Sequence, residues 1–250
     1  MTATAKLFSI VECFSRSDRE LSLAQIAQRT GVPKPTARRL LTDLQALGYI
    51  EQAAPRRNYA LGLKFFEIGS IVLDTMDLSR VARPIVLRLQ QISGESVHLC
   101  VFNGMRPVLI AQRQMDVPPL NTVTTLEAAA AHCTGVGKAA LAFQSAASIQ
   151  RVIAEGLHPY TGNTITDPVA LELELAQIRA CGYAIDNGEH QASIRCVAAP
   201  IRAASGAVVA AISVSTIWAR LPDDRLPAVC GLVIAAASDI SSALGAPDAA

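Results

Sequence analysis

Basic and hydroxyl side chains are grouped on one side of a predicted helix, opposite an apolar stripe. The polar group comprises Lys34, Thr36, Arg38, Arg39 and Thr42. The apolar stripe comprises Ala37, Leu40, Leu41, Leu44 and Leu47. Because an arginine guanidinium can bond bidentately to guanine in the major groove, the polar side predicts contact with DNA bases. The alternative is a solvated basic face on an ordinary helical hairpin.

Two further arginines, Arg56 and Arg57, lie between short predicted strands at residues 49–51 and 58–60. A basic hairpin tip suits contact with phosphates or with the minor groove. A helix that reads the major groove and a hairpin beside it are typical of a winged helix-turn-helix.

The residues before this helix predict the turn that positions it. Residues 21–30 form a short amphipathic pattern, and Ser22 is placed to cap it. Gly31 can take the positive φ that ends a helix, and Pro35 stands in the first turn of the next one.

A glycine-rich segment, Thr134-Gly-Val-Gly-Lys138, leads into a second predicted helix over residues 137–143. Backbone N–H groups that converge at a helix N-terminus can bind an anion such as a carboxylate. The segment is not a nucleotide P-loop, because His132 and Ala139 stand where that motif needs glycine and a hydroxyl residue. A tight turn without a ligand explains the same pattern equally well.

Four polar residues, Asp186, Cys196, Ser213 and Ser215, fall on predicted strands. Ser213 and Ser215 are two residues apart, so their side chains point to the same face. Polar groups on an otherwise apolar strand need partners, and a bound polar ligand would supply them. Internal hydrogen bonding is the alternative.

Catalytic and metal chemistry have weaker support. Cys196 could pair with a histidine, either His98, His132 or His190, but no local signature accompanies such a pair. His132-Cys133 with Cys196 and Asp186 lacks the usual metal-ligand spacing. We therefore predict no catalytic residue, no metal and no cofactor, and keep a metal- or thiol-based sensor, or an enzyme using Cys196, as the alternatives.

Composition predicts a soluble, folded chain. It is 51% hydrophobic and 17% charged, and its net charge of +1 hides nine basic against five acidic residues in positions 1–60. The six cysteines include no C-x-x-C pair, and no signal peptide precedes them, which predicts reduced thiols in the cytoplasm. No apolar run reaches the length of about 20 residues that a membrane span needs.

The pattern after residue 95 predicts an antiparallel sheet with helices around it. Residues 96–102 and 107–113 alternate like strands and flank the turn Asn103-Gly104, which predicts a hairpin. Strands are also predicted near residues 183–186, 193–199 and 207–215, and a terminal helix over 226–244. The fold class is therefore α+β.

Nearly the whole chain resembles the IclR family of bacterial transcription regulators. The N-terminal resemblance lies in LAQIAQRTGVPKPTARRLLTDLQALGYI at 23–50 and YALG at 59–62. The C-terminal resemblance lies in GVGKA at 135–139, TITD at 164–167, GYAIDNGE at 182–189, RCVAAP at 195–200 and AAISVS at 210–215. One departure is Arg202-Ala203, where the family pattern often has an aromatic residue or histidine and then aspartate.

The resemblance implies three parts: a winged helix-turn-helix DNA-binding domain over residues 1–62, a helical linker and dimer contact over 63–77, and a GAF-like effector-binding domain over 78–250. It also implies a homo-oligomer, a dimer or a dimer of dimers, that binds double-stranded operator DNA and a small organic acid. Carried over from the family, the effector-binding positions are Gly135, Val136, Asp186, Cys196, Ser213 and Ser215.

Overall fold

A computed structural model describes residues 1–15, 17–53, 58–75, 77–113 and 130–247. The predicted DNA contacts Arg56 and Arg57 lie outside the described residues. The chain divides into two compact units, Met1–Thr75 and Met76–Ala250.

The N-terminal unit consists of four helices and a two-stranded sheet. In chain order these are α1 (Ala3–Glu12), α2 (Leu23–Thr30), α3 (Lys34–Ala46), β1 (Ile50–Ala53), β2 (Asn58–Leu61) and α4 (Lys64–Thr75). The predicted signals around α2 are confirmed: Ser22 caps it in a capping box with Gln25, and Gly31 ends it at φ 67°. The strands β1 and β2 pair antiparallel.

The core of this unit lies under α3. Ala37, Leu40, Leu41 and Leu44 are buried against α1, α2 and the sheet. Leu47, which we predicted to share this apolar stripe, is 64% exposed. The prediction was wrong for Leu47, because this C-cap residue lies beyond the residues of α3 that pack into the core.

The C-terminal unit is built on a five-stranded sheet. Its elements are α5 (Asp77–Ser93), β3 (Ser96–Phe102), β4 (Pro107–Arg113), α6 (Gly135–Leu141), α7 (Ala146–Glu155), α8 (Pro168–Cys181), β5 (Ala184–Asn187), β6 (Ile194–Arg202), β7 (Val208–Ile217), a short 3₁₀ helix (Trp218–Arg220) and α9 (Leu226–Ala243). The strand order is β4-β3-β7-β6-β5, and all neighbours are antiparallel. The predicted hairpin at Asn103-Gly104 and the α+β class are confirmed.

Each face of this sheet has its own apolar core. Val97, Val197 and Val214 point to the face covered by α5 and α9. Their neighbours along the strands point to the other face, where Cys100, Ala198 and Ala211 pack with α6 and α8. Because side chains alternate along a strand, Ser213 and Ser215 also lie on this second face.

The helix α9 is apolar along most of its length. Of the helices in the described ranges, it is the one whose length and composition would suffice to cross a membrane. Its buried residues, including Val229, Val233 and Ile240, pack on the sheet and on α5. These contacts are those of a core helix and do not indicate a membrane protein.

Candidate nucleic-acid interface and candidate effector pocket

The predicted DNA-contacting residues of α3 share one solvent-facing side. Lys34, Arg38, Arg39 and Thr42 are exposed, and Thr36 is half-buried. Arg39 Nη1 lies 3.5 Å from Asp43 Oδ2, and the two side chains form an exposed ion pair on successive turns. Such a pair is weak, so a phosphate or a base could compete for the arginine. The Thr42 hydroxyl donates to the Arg38 carbonyl oxygen at 3.0 Å. Burial of its apolar side thus holds α3 in place, and the outer side of the helix carries net positive charge.

In the C-terminal unit, strand register brings together polar residues that are far apart in sequence. On β7, Ser215 lies opposite Ser96 of β3 and Cys196 of β6. Cys196 in turn lies opposite Asp186 of β5. These residues form one row across four strands, and Ser213 lies in the next row on the same face, opposite His98.

This row borders a small cavity between the sheet and α6. The cavity has a volume of about 50 Å³. Its lining residues are His98, Thr134, Val136, Asp186, His190, Gln191, Ile194, Cys196, Ser213 and Ser215. The structure thus brings together five of the six residues that the resemblance implies, namely Val136, Asp186, Cys196, Ser213 and Ser215.

The sixth residue, Gly135, lies behind this lining and is the first residue of α6. A Cβ atom built on it would lie 2.8 Å from Cys196 Sγ and 3.3 Å from Ala198 Cβ. Gly137 has a similar constraint, since its Cβ would lie 2.6 Å from Thr134 Oγ1. Both glycines are therefore needed for close packing of α6.

We predicted this segment as a loop before a helix that starts at Gly137, but α6 already begins at Gly135. Thr134 caps it, because its Oγ1 accepts a hydrogen bond from the Gly137 N–H at 3.2 Å. Gly135 and Val136 hold the first positions of the helix, where amide groups have no intrahelical acceptor. The helix thus directs its N-terminal turn toward the polar row.

Five lining residues were not predicted as effector-binding positions, namely His98, Thr134, His190, Gln191 and Ile194. His98 is buried on β3, and its Nε2 lies 3.2 Å from Gln112 Nε2 of β4. Because side chains alternate along β3, His98 lies on the same face as Ser96, and the sequence alone could have indicated this. The pairing of β3 with β7 was needed to connect that face with Ser213.

Burial changes the protonation of the ionisable groups in the cavity. It raises the pKa of Asp186 to about 7, although Asp186 Oδ1 accepts the Glu189 N–H at 2.7 Å. Burial also lowers the pKa of His190, which favours its neutral form. The raised pKa makes the protonated form of Asp186 accessible near neutral pH, and in that form its carboxyl group can donate as well as accept.

The cysteines near the cavity are protonated thiols. Burial raises the pKa of Cys196 and of Cys133 to about 12 each, and it raises the pKa of Cys100 further. The hydroxyls of Ser213 and Ser215 lower the pKa of the Cys196 thiol, but by less than burial raises it. Cys196 is therefore not activated as a thiolate. Within the described residues, no group of three or more His, Cys, Asp and Glu side chains is arranged to hold a metal ion.

A buried ion pair cluster holds α6 in place behind the cavity. The Lys138 side chain is 1% exposed, and its Nζ donates to Glu189 Oε1 at 2.5 Å and to Glu174 Oε1 at 2.8 Å. Burial opposes the charge of Lys138, but the two carboxylates outweigh it and hold its pKa above the usual value. Lys138 thereby connects α6 to α8 and to the turn after β5.

Two protein-family models match this chain. The profile described as "Bacterial transcriptional regulator IclR C-terminal" matches residues 70–242, and the profile described as "IclR helix-turn-helix domain" matches residues 3–54. The chain is also 33% identical, over 239 residues, to the Transcriptional repressor IclR of Escherichia coli K12, covering 94% of this chain and 87% of that protein.

Solved structures share the same fold. An IclR transcriptional regulator from Silicibacter sp. TM1040 superposes with a TM-score of 0.87 at 24% identity, covering 98% of this chain and 97% of that one. An IclR homologue from Microbacterium hydrocarbonoxydans, crystallised in complex with 4-hydroxybenzoate, has a TM-score of 0.78 at 25% identity, covering 97% and 99% of the two chains. The relatives are DNA-binding regulators and not enzymes. The chain belongs to the IclR family of bacterial transcriptional regulators.

Proposed function

We propose that this regulator binds a small organic acid in the cavity beside α6, and that the acid controls its affinity for operator DNA of a catabolic operon. The observation that carries the proposal is the polar row across β5, β6 and β7, which meets the N-terminal turn of α6. The effector-binding residues are Gly135, Val136, Asp186, Cys196, Ser213 and Ser215.

The chemistry of the lining favours a carboxylate that also carries a hydroxyl or keto oxygen. The first amides of α6 and the partial positive charge of its N-terminal turn suit the carboxylate. Ser213 and Ser215 line the cavity, and their hydroxyls can donate to a second ligand oxygen. Protonated Asp186 removes the repulsion that an ionised neighbour would exert on the ligand.

The size of the cavity restricts the acid further. Its volume of about 50 Å³ is several times the roughly 10–15 Å³ that one water requires. It is well below the ~150 Å³ of an apolar cavity that binds benzene. A short aliphatic acid therefore fits better than an aromatic acid such as the 4-hydroxybenzoate bound by the Microbacterium homologue.

In the same proposal, α3 reads DNA from a homo-oligomer. The DNA contacts are Lys34, Thr36, Arg38, Arg39, Thr42, Arg56 and Arg57.

One helix reads too few bases for useful discrimination, so two half-sites require a dimer, alone or as a dimer of dimers. We assign residues 1–62 to DNA binding, 63–77 to the linker and dimer contact, and 78–250 to the effector. The large exposed apolar side chains Leu63, Phe66 and Ile71 in and next to α4 support that contact.

All six cysteines are free thiols, which supports a cytoplasmic location.

Sedimentation at micromolar concentration, with and without DNA, tests the oligomer. A stable monomer under both conditions would contradict the assignment of 63–77.

The experiment for the effector is release of operator DNA, titrated with short hydroxy and keto acids. The double variant Ser213→Ala and Ser215→Ala should require at least about tenfold more of the responding acid, because two ligand hydrogen bonds are lost. Its operator affinity without acid should equal that of the parent. The control is Ser193→Ala with Ser205→Ala, two exposed serines outside the cavity lining. A double variant that responds at the parent's acid concentration would mean that the cavity is only a packed core.

A further inference from the structure

A second cavity lies at the far end of β6, away from the effector pocket. Its volume is about 230 Å³, and it is bordered by the end of β6, the C-terminal ends of α8 and α9, and Phe143 after α6. The polar side chains that line it are Arg179, Arg202, Ser238, Ser241 and Ser242. Along β6, Arg202 is six residues from Cys196, which is roughly 20 Å of extended strand.

Two guanidinium groups border this cavity, and each has further donors. Arg179 Nη1 donates to the Ala142 carbonyl oxygen at 2.8 Å, and Arg202 Nη1 donates to the Gly206 carbonyl oxygen at 2.9 Å. The Arg202 guanidinium also stacks on the Phe143 ring, with 4.7 Å between its Cζ and the ring centroid. A guanidinium has five N–H groups, so these contacts orient both side chains and use one donor of each.

The acidic side chains on the neighbouring elements are paired elsewhere. Asp239 of α9 forms an ion pair with Arg88 of α5, and Glu174 of α8 pairs with Lys138. Across the described ranges, no carboxylate forms an ion pair with Arg179 or Arg202. Two like charges on one cavity repel each other, and an anion between them would remove that cost.

Hydroxyl groups on α9 complete the surroundings. Ser241 Oγ accepts the Arg202 backbone N–H at 2.9 Å and donates to the Ala237 carbonyl oxygen at 2.7 Å, so it joins the helix to the strand. Ser238 and Ser242, which are exposed on the same helix, can donate to an anion in the cavity.

We propose that Arg179 and Arg202 form a second ligand site of this regulator, which binds a phosphate group. Phosphate is the class of ligand that fits, because it carries two negative charges near neutral pH and accepts bidentate hydrogen bonds from guanidinium groups. The site is separate from the effector pocket and does not depend on the effector assignment. Its ligand is either free phosphate or the phosphate of a small metabolite.

The test measures line broadening of the ³¹P signal of inorganic phosphate by the full-length protein, at pH 7.5 and constant ionic strength in sodium chloride. The parent should broaden the signal in a saturable manner. Arg179→Gln and Arg202→Gln should each weaken phosphate binding at least about tenfold, the loss expected when a charged hydrogen-bonding partner is removed. Arg83→Gln, an exposed arginine on α5, is the control and should bind like the parent.

A second pair of variants leaves both arginines intact. Ser242→Asp should place a carboxylate beside the guanidinium groups and abolish phosphate binding, whereas the uncharged Ser242→Asn should retain it. This pair separates anion binding from any effect of Arg202→Gln on folding. A sugar phosphate that competes at lower concentration than inorganic phosphate would identify a metabolite as the ligand, and equal competition would identify free phosphate.

Three results would overturn the proposal. The parent could fail to show saturable broadening, or Ser242→Asp could bind phosphate as well as Ser242→Asn. Finally, Ser213→Ala with Ser215→Ala could abolish phosphate binding, which would place the phosphate in the effector pocket.

Discussion

Asp186 is buried on β5, where it lines the effector pocket with 4% of its surface exposed. Burial raises its pKa from 3.8 to about 7, so the folded protein retains a proton that the unfolded chain releases near pH 4. Between these values the folded state binds more protons, and the free energy of unfolding therefore falls as the pH rises. Above about pH 7 the full cost of burying the ionised group is present.

Asp186→Asn should remove that cost, since an amide keeps the oxygen that accepts the Glu189 N–H and carries no charge. The variant's free energy of unfolding minus that of the parent should therefore be larger at pH 8 than at pH 5, by about 3 kcal/mol. Urea unfolding at both pH values measures this difference, and groups that titrate in both proteins cancel from it. An equal difference at pH 5 and pH 8 would contradict the raised pKa.

Arg38 and Arg39 lie exposed on α3, where we propose that they contact bases. Arg38→Ala and Arg39→Ala should each cost about 1–3 kcal/mol of operator binding and lower the preference for operator over random DNA. Titration of both DNAs at several salt concentrations measures the two effects. Arg19→Ala, in the same unit but before α2, is the comparison for loss of a positive charge outside α3. Unchanged operator binding by both α3 variants would contradict the proposed role of this helix.

At the scale of elements, local signals predicted the strands and several of the helices. Ser22 and Gly31 set the ends of α2, because capping effects act within one helical turn. The start of α6 was predicted two residues late. The sequence suggests flexibility at Gly135, whereas the structure uses this glycine to bring α6 close to Cys196, a contact between distant segments.

The composition of the pocket depended on similar long-range information. The alternation on β7 predicted that Ser213 and Ser215 share a face, but the partners of that face follow from strand register. His98 is buried beside Ser213 because β3 pairs with β7, and these strands are more than 100 residues apart in the chain. Only the resemblance linked the glycine segment to the strand cluster before the structure did.

Substitution of Lys138 tests how α6 is held against its neighbours. Its ammonium lies between Glu174 and Glu189, and Glu189 Oε2 has no hydrogen-bond partner within the described ranges. Lys138→Met should destabilise the protein by about 3–5 kcal/mol, because it leaves the buried carboxylate of Glu189 without a counter-charge.

Lys138→Met combined with Glu189→Leu should recover much of that loss, since the uncompensated charge is then also removed. Chemical denaturation of the parent, both single variants and the double variant measures the coupling free energy. If the double variant lost as much stability as the two single variants added together, the pair would not be coupled and Lys138 would be stabilised by other contacts.

At the scale of the whole molecule, the two proposed binding activities belong to separate compact units. The exposed basic side of α3 is in Met1–Thr75, and the effector pocket is in Met76–Ala250. Each unit has its own apolar core. Regulation then requires a coupling free energy between the two sites, carried by two states of the protein that differ in affinity for both ligands.

Such coupling is reciprocal, which gives a prediction for the whole protein. If the responding acid changes operator affinity by some factor, the operator must change the affinity for the acid by the same factor, expected at about 5–150-fold. Operator binding measured with and without saturating acid gives one ratio, and acid binding measured with and without saturating operator gives the other. Random DNA at the same concentration should shift acid affinity less, because it lacks the base contacts proposed for α3. Should the acid release operator while the operator leaves acid affinity unchanged, the acid would act without binding this chain, and the effector pocket would lose its proposed role.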